Sequence, residues 1–412
     1  MKENMRLILS LSSYLLVGVL AAPAAEAPRT FGLSAPALLA ARVRLAGGDA
    51  RLAAPLAQLR AEADKLLALK PASVMDKTRV PAGADRHDYF SLAPYWWPDP
   101  AKPDGLPYIR HDGRINPDSK KGTDSVAFAH TCNAVETLGL AFWFTGDERY
   151  AQKAATLTRV WFLDPATRMN PNLEHSQAVW GINDGRGAGI LEARHLVGLN
   201  DGLALLAGSA AWRPADADAL KAWLTEYYHW LTTSKSGRNE AASNNNHGSW
   251  YDVQAAGLAL VLGREDDAKK IFAAAPKRRI AAQIEPDGRQ PLELARTKSL
   301  NYFLFNLEAL FRLSRMGEHA GLDLWSFSTT DGRSLQQALL YVAPYADPAK
   351  NWPKEDIETA DRARILPLLA EGAAHYNTPS IRETLAKFSG RLAPDERWRL
   401  VGANGSDPAP RP

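Results

Sequence analysis

Cysteine is nearly absent. Among 412 residues only Cys132 carries a thiol, which excludes an intramolecular disulfide. An excess of one charge is lacking as well. The 49 Lys and Arg against 46 Asp and Glu leave a net charge of +3, which gives no electrostatic case for nucleic acid. The one dense basic cluster, Lys277-Arg278-Arg279, reads as a solvated helix end. The apolar run over residues 7–20 is too short for a comfortable membrane span, so no membrane anchor is expected. The nine histidines contain neither HExxH nor a close His-x-His pair, so no metal site and no cofactor are expected. There is no G-x-S-x-G elbow. No fixed-length repeat appears either, which disfavours the regular solenoids.

What is present begins at the N-terminus. Lys2 and Arg6 precede the apolar run, and Ala21-Ala22-Pro23-Ala24-Ala25 supplies small residues for cleavage. This is the layout of a secretory signal peptide, with cleavage expected after Ala24 and the periplasm or the exterior as destination. The expected organisation is a signal peptide over 1–24, one domain over 25–400 and a disordered tail over 401–412, rich in Gly, Pro and Ser. Cys132 lies in an apolar stretch and reads as a core residue.

Beyond the signal, apolar residues recur at helical spacing and alternating runs are few. The pattern predicts helices near 35–46, 50–69, 123–145, 148–162, 188–208, 215–233, 247–262, 265–283, 292–315, 332–345, 361–375 and 379–389. Thr145-Gly146-Asp147 stops one helix and caps the next, and Gly263 closes the helix that begins near His247. Helices joined in pairs by short turns predict an all-α chain, an α/α toroid of antiparallel helix pairs. The interruptions at 71–122, 164–187 and 234–246 are too long for connectors, and the substrate cleft is expected there.

The chemistry concentrates in Asn244-Asn245-Asn246-His247-Gly248-Ser249-Trp250 and in Arg296 and Tyr302, read as one later helix. Cleaving a 4-linked uronic acid polymer by elimination requires three things: neutralisation of the carboxylate, a base for the C5 proton and an acid for the O4 leaving group. Asn246, an amide, and Arg296, permanently charged, suit the first task. His247 and Tyr302 suit the proton transfers. In mannuronate and glucuronate H5 and O4 leave from one face, so a single tyrosine can serve as base and acid. That requires its pKa to be lowered, and Arg296 is the expected source of the lowering charge.

The run Asn245-Asn246-His247-Gly248-Ser249-Trp250 resembles the Asn-Asn-His-x-x-Trp element of the alginate lyase superfamily, whose members fold as α/α toroids. The segment Asp88-Tyr89-Phe90-Ser91-Leu92-Ala93-Pro94-Tyr95-Trp96-Trp97-Pro98-Asp99-Pro100 is similar to the opening motif of polysaccharide lyase family 38, which includes enzymes acting on mannuronan or glucuronan. The resemblance spans residues 88–308. It implies Asn246 as carboxylate neutraliser, His247 as its partner or as base, Arg296 as charge stabiliser and Tyr302 as acid and base. Gly248-Ser249 departs from the Ser-Tyr of the family 5 lyases, and so does the spacing from Arg296 to Tyr302.

Two further segments suit a glycan cleft. Tyr95, Trp96 and Trp97 offer apolar faces to sugar rings. In the glycine-rich 177–189 segment, Gln177, Asn183 and Arg186 are expected subsite contacts, together with Asn245 and Trp250. No strand is expected before that segment. The expected partner is an anionic polysaccharide, with alginate or polymannuronate favoured. Three alternatives remain open: a glucuronan lyase, an α/α-toroid glycoside hydrolase using carboxyls such as Asp184, Asp252, Glu285 or Glu293, and a non-catalytic glycan-binding protein.

Overall fold

The computed structural model describes residues 27–81, 83–391 and 397–402. The expected signal peptide and nearly all of the expected tail lie outside the described residues.

The chain folds as an α/α toroid built from antiparallel helix pairs. Ser125–Thr145 pairs with Glu148–Thr158, Asn246–Val261 with Glu265–Ala275, and Ile365–His375 with Pro379–Phe388. The local punctuation works as its chemistry dictates. Gly146 adopts φ 70 behind the first of these helices, and the Asp147 side chain accepts from Arg149 N to cap the next. Gly263 at φ 73 closes Asn246–Val261. Gly139 and Gly202 let Ser125–Thr145 and Leu196–Ala204 pack backbone on backbone, because a Cβ on either would overlap the other helix's main chain.

One apolar core cluster includes Leu38 at one end of the chain and Leu400 at the other, and contains Cys132. Asn246–Val261 is buried on almost every face, packed against Ser299–His319 and Glu265–Ala275. This places its N-terminus, with Asn246 and His247, at the floor of a cleft. A second small cluster of Phe90, Leu92 and Ala178 anchors the loops above it. Those loops carry β1 (Phe90–Leu92), β2 (Trp96–Trp97), β3 (Ile109–Arg110) and β4 (His175–Ala178). β1 pairs in parallel with β4, and β2 antiparallel with β3.

Several expectations are corrected. β4 does precede the glycine-rich segment, where no strand was expected. The helix expected over 188–208 divides into a 3-10 stretch, Gly187–His195, and Leu196–Ala204. The 234–246 interruption contains the helix Lys235–Ala241, capped by the Ser234 hydroxyl. The 292–315 helix is broken into Pro291–Leu294 and Ser299–His319, so Arg296 and Tyr302 do not share a helix. The cause of this break is distant in sequence: Asp112 takes Thr297 N and Oγ1, and Lys298 bridges to Asp356, giving the backbone at 297 and 298 partners other than a helical turn.

Candidate active site

The floor of the cleft is set by capping. Asn245 Oδ1 accepts from His247 N at 3.2 Å and starts the helix. Asn246 N and Nδ2 both donate to Glu293, each at 2.7 Å, while its Oδ1 is buried without a partner. Glu293 is 1% exposed; burial raises its carboxyl, and the two Asn246 bonds oppose the rise. His247 Nδ1 lies 2.6 Å from Glu240 Oε1.

Beneath this turn Arg279 is fully buried, which overturns the solvated reading for this residue, whereas Lys277 and Arg278 of the same cluster are exposed. Its Nε is 2.7 Å from Asp252, and its Nη atoms donate to Ser243 O at 2.6 Å and Ala241 O at 2.9 Å. The guanidinium thereby replaces the hydrogen bonds that the loop before Asn246 lacks. Gly248 lies directly over it, and a Cβ there would overlap Ser243 O and Arg279 Nη1. The departure from Ser-Tyr at this position follows from that crowding.

The opposite wall holds the phenol. Arg296 stands 3.7 Å over the Tyr302 ring and donates to its hydroxyl at 2.7 Å. Tyr302 donates in turn to the Tyr95 hydroxyl at 2.7 Å. Arg296 is held by Asp112 at 2.7 Å. Burial opposes ionisation of Asp112, but the guanidinium outweighs it and holds the carboxyl down at about 2. For Tyr302 the balance is reversed. Burial first and Tyr95 second push the phenol well above its ordinary range, and the downward pull of Arg296 does not offset them. The expected lowering of this pKa is therefore not found in the free protein.

The third wall descends from the glycine-rich segment. Gln177 has φ 48, a left-handed backbone that a side-chain-bearing residue adopts at an expense of about 1–3 kcal/mol. Its amide N donates to Ser91 Oγ at 2.7 Å, and its Oε1 accepts from Arg186 at 2.8 Å. Arg186 Nε is buried without a partner. Glu192, half-buried at the cavity wall, accepts from Ser91 Oγ at 2.6 Å and Tyr89 OH at 2.7 Å.

These walls enclose a cavity of about 560 Å³. Of the expected residues it brings together Tyr95, Gln177, Arg186, Asn245, Asn246, His247, Arg296 and Tyr302. Four others stand off it. Trp250 is buried and stacked on Phe305, with ring centroids 5.0 Å apart. Asn183 Oδ1 accepts from Val179 N, Trp97 Nε1 donates to Arg114 O, and the Trp96 ring backs Arg186 at 6.0 Å. Asp112, Glu240, Arg194, Arg110, Phe305 and Arg364 were not expected, and Glu293 was named only among the carboxyls that the alternative hydrolase would need. Arg194, Arg110, Phe305 and Arg364 line the cavity, whereas Asp112, Glu240 and Glu293 act through its lining residues. Of these only Glu293 carried a signal, its place three residues before Arg296. None of Asp184, Asp252, Glu285 and Glu293 lines the cavity, so no opposed carboxyl pair for hydrolysis comes from them. A wider hollow of about 740 Å³, bordered by Trp325 and His375, contains none of the expected residues.

Residues 73–352 match the family described as alginate lyase. An alginate lyase from Bacteroides ovatus, known from its crystal structure, is 38% identical with a TM-score of 0.87, over 91% of this chain and 99% of that one. Alginate lyase A1-III of Sphingomonas species A1, in a histidine variant complexed with tetrasaccharide, is 16% identical with a TM-score of 0.51, over 80% of this chain and 89% of that one; the likeness there is one of fold. No curated protein sequence matches the chain.

Proposed function

Because the chain belongs to the alginate lyase family, we propose that it cleaves 4-linked uronic acid polymers, alginate with polymannuronate favoured, by β-elimination without a metal ion. The observation that supports this reading best is the meeting of Asn246 and His247 with Arg296 and Tyr302 around one cavity.

The second Nδ2 hydrogen of Asn246, left over from its bond to Glu293, and the cationic Arg296 serve the substrate carboxylate, so that charge moving onto it as C5 loses its proton is met by fixed donors. The C5–H bond breaks with its proton passing to His247, or to Tyr302 as a phenolate; a C4=C5 double bond forms, the C4–O4 bond breaks, and O4 leaves with a proton. No water is consumed and nothing is oxidised. Tyr302 is a phenol in the free enzyme, which suits delivery of a proton to O4. In mannuronate the same oxygen is on the side of H5, and the overlying Arg296 stabilises its phenolate form. His247 is the second proton carrier. Arg186, Arg194 and Arg110 bind carboxylates of neighbouring units.

Incubation with polymannuronate, polyguluronate and glucuronan in the presence of a chelator tests the proposal. Ultraviolet absorbance from unsaturated uronate is the expected result. Saturated reducing ends would indicate hydrolysis, and binding without products a glycan-binding role.

Export to the periplasm or beyond belongs to the same proposal. It is supported by the basic, apolar and small-residue order of residues 2–25 and by the single cysteine. The secreted protein is expected to begin at Ala25, which N-terminal sequencing checks. No helix among the described residues is long and apolar enough to cross a membrane.

A further inference from the structure

His247 has two ring nitrogens, and the structure shows what meets one of them. Nδ1 is 2.6 Å from Oε1 of Glu240, on the last turn of Lys235–Ala241. Glu240 is 3% exposed, and His247 borders the cavity. An ionised carboxylate offers acceptors only, so the Nδ1 hydrogen belongs to this bond and Nε2 is left for the cavity.

The geometry is enforced from three sides. Arg279 holds the carbonyls of Ala241 and Ser243 immediately after Glu240. Asn245 caps His247 N and fixes where its ring begins. Gly187, without a side chain, lets the 3-10 stretch Gly187–His195 press against the backbone of Ser236 and Glu240. Other charges near the pair are Glu293 under Asn246, Arg186 on the third wall and Arg296 above Glu293.

We propose that Glu240 is a positioning residue that holds His247 in its Nδ1–H tautomer, so that Nε2 is the atom His247 presents to the uronate. The proposal rests on the lyase reading for the identity of the substrate, but not for the tautomer. A wall histidine without such a partner would divide its hydrogen between two nitrogens and spend part of its time with the wrong atom facing the sugar. The Glu240 charge also stabilises the imidazolium formed whenever Nε2 takes a proton.

The test uses the full chain with 15N-labelled histidine, in wild type, Glu240→Gln and Glu240→Leu, with His247→Gln to assign the signal. Wild type is expected to show His247 as the Nδ1–H tautomer, and Glu240→Leu a mixture with Nε2–H. On polymannuronate, Glu240→Leu is expected to lose about 100-fold in kcat with KM little changed. Glu240→Gln keeps an acceptor and is expected to recover part of that loss. The limb of the pH profile set by His247 is expected to move to lower pH in both variants. An Nε2–H tautomer in wild type, or wild-type kcat and pH profile in both variants, overturns the proposal. If wild type yields unsaturated ends from no uronan, the lyase reading fails while the tautomer measurement still decides the role of Glu240.

Discussion

Replacing Asp112 by Asn removes the anion that holds Arg296 in place while leaving the volume unchanged. Asp112 receives Arg296 Nη2 at 2.7 Å and Nε at 3.0 Å, and it also accepts from Thr297 N and Oγ1. The two charged side chains are 16% and 21% exposed, so the pair falls between a surface bridge, worth about 0–1 kcal/mol, and a buried one, whose breakage costs about 3–5 kcal/mol. Asparagine keeps one acceptor, so the expected loss is about 1–2 kcal/mol of folding stability. The same amount taken from transition-state stabilisation corresponds to about a 5- to 30-fold fall in kcat. KM is expected to change less, because Arg186 and Arg194 in the cavity wall keep their positions, while Arg110 loses its own 2.6 Å bond to Asp112. Thermal unfolding followed by circular dichroism, with initial rates on polymannuronate, measures both quantities. Wild-type kcat together with wild-type stability would refute the claim that Asp112 positions Arg296.

Other outcomes are equally concrete. Gly248→Ala puts a Cβ into Ser243 O and Arg279, and is expected to lose about 1–3 kcal/mol if the backbone yields, or about 3–5 kcal/mol if Arg279 leaves Asp252 unpaired; urea titration separates these from no effect. Tyr302→Phe is expected to abolish turnover and largely spare binding, since the ring still stacks under Arg296 while the proton is lost; residual activity near wild type in the rate assay would exclude Tyr302 as the proton carrier. Burial raises Asp201 to about 7, with bonds from Phe31 N and Leu33 N opposing the rise. The folded state then keeps a proton that the unfolded chain gives up near pH 4, so stability falls as pH rises from about 4 to about 7. Asp201→Asn removes its share of that slope, while Asp124, also raised to about 7, keeps its own, and melting temperatures across this range show whether the slope diminishes.

What could be read in the sequence was local. Helix ends such as Gly146-Asp147 and Gly263 are set by the residues that occupy them, and the Asn245-Asn246-His247 turn is a cap whose side chains act within three positions. The missed features depend on residues far apart in the chain. Asp112 reaches Arg296 across 184 positions and breaks a helix that periodicity alone continues. Arg279 looks like a solvated charge because Asp252, its partner, lies a helix away, and Glu240 sits in a polar stretch that gives no sign of its burial. Trp250 had the opposite fate: an aromatic next to the motif suits a sugar equally well, but Phe305 already covers its face. Tyr302 lines the cavity, but the expected lowering of its pKa is not found, because burial cannot be weighed from neighbours in sequence.

Elimination at a site built from Asn246, His247, Arg296 and Tyr302 is the proposed reaction. Mass spectrometry of the oligomers released from polymannuronate by chelator-treated protein tests it most directly. Chains with an unsaturated end, each lighter by one water than the corresponding hydrolysis product, are the expected result. Products that carry the added water would contradict it.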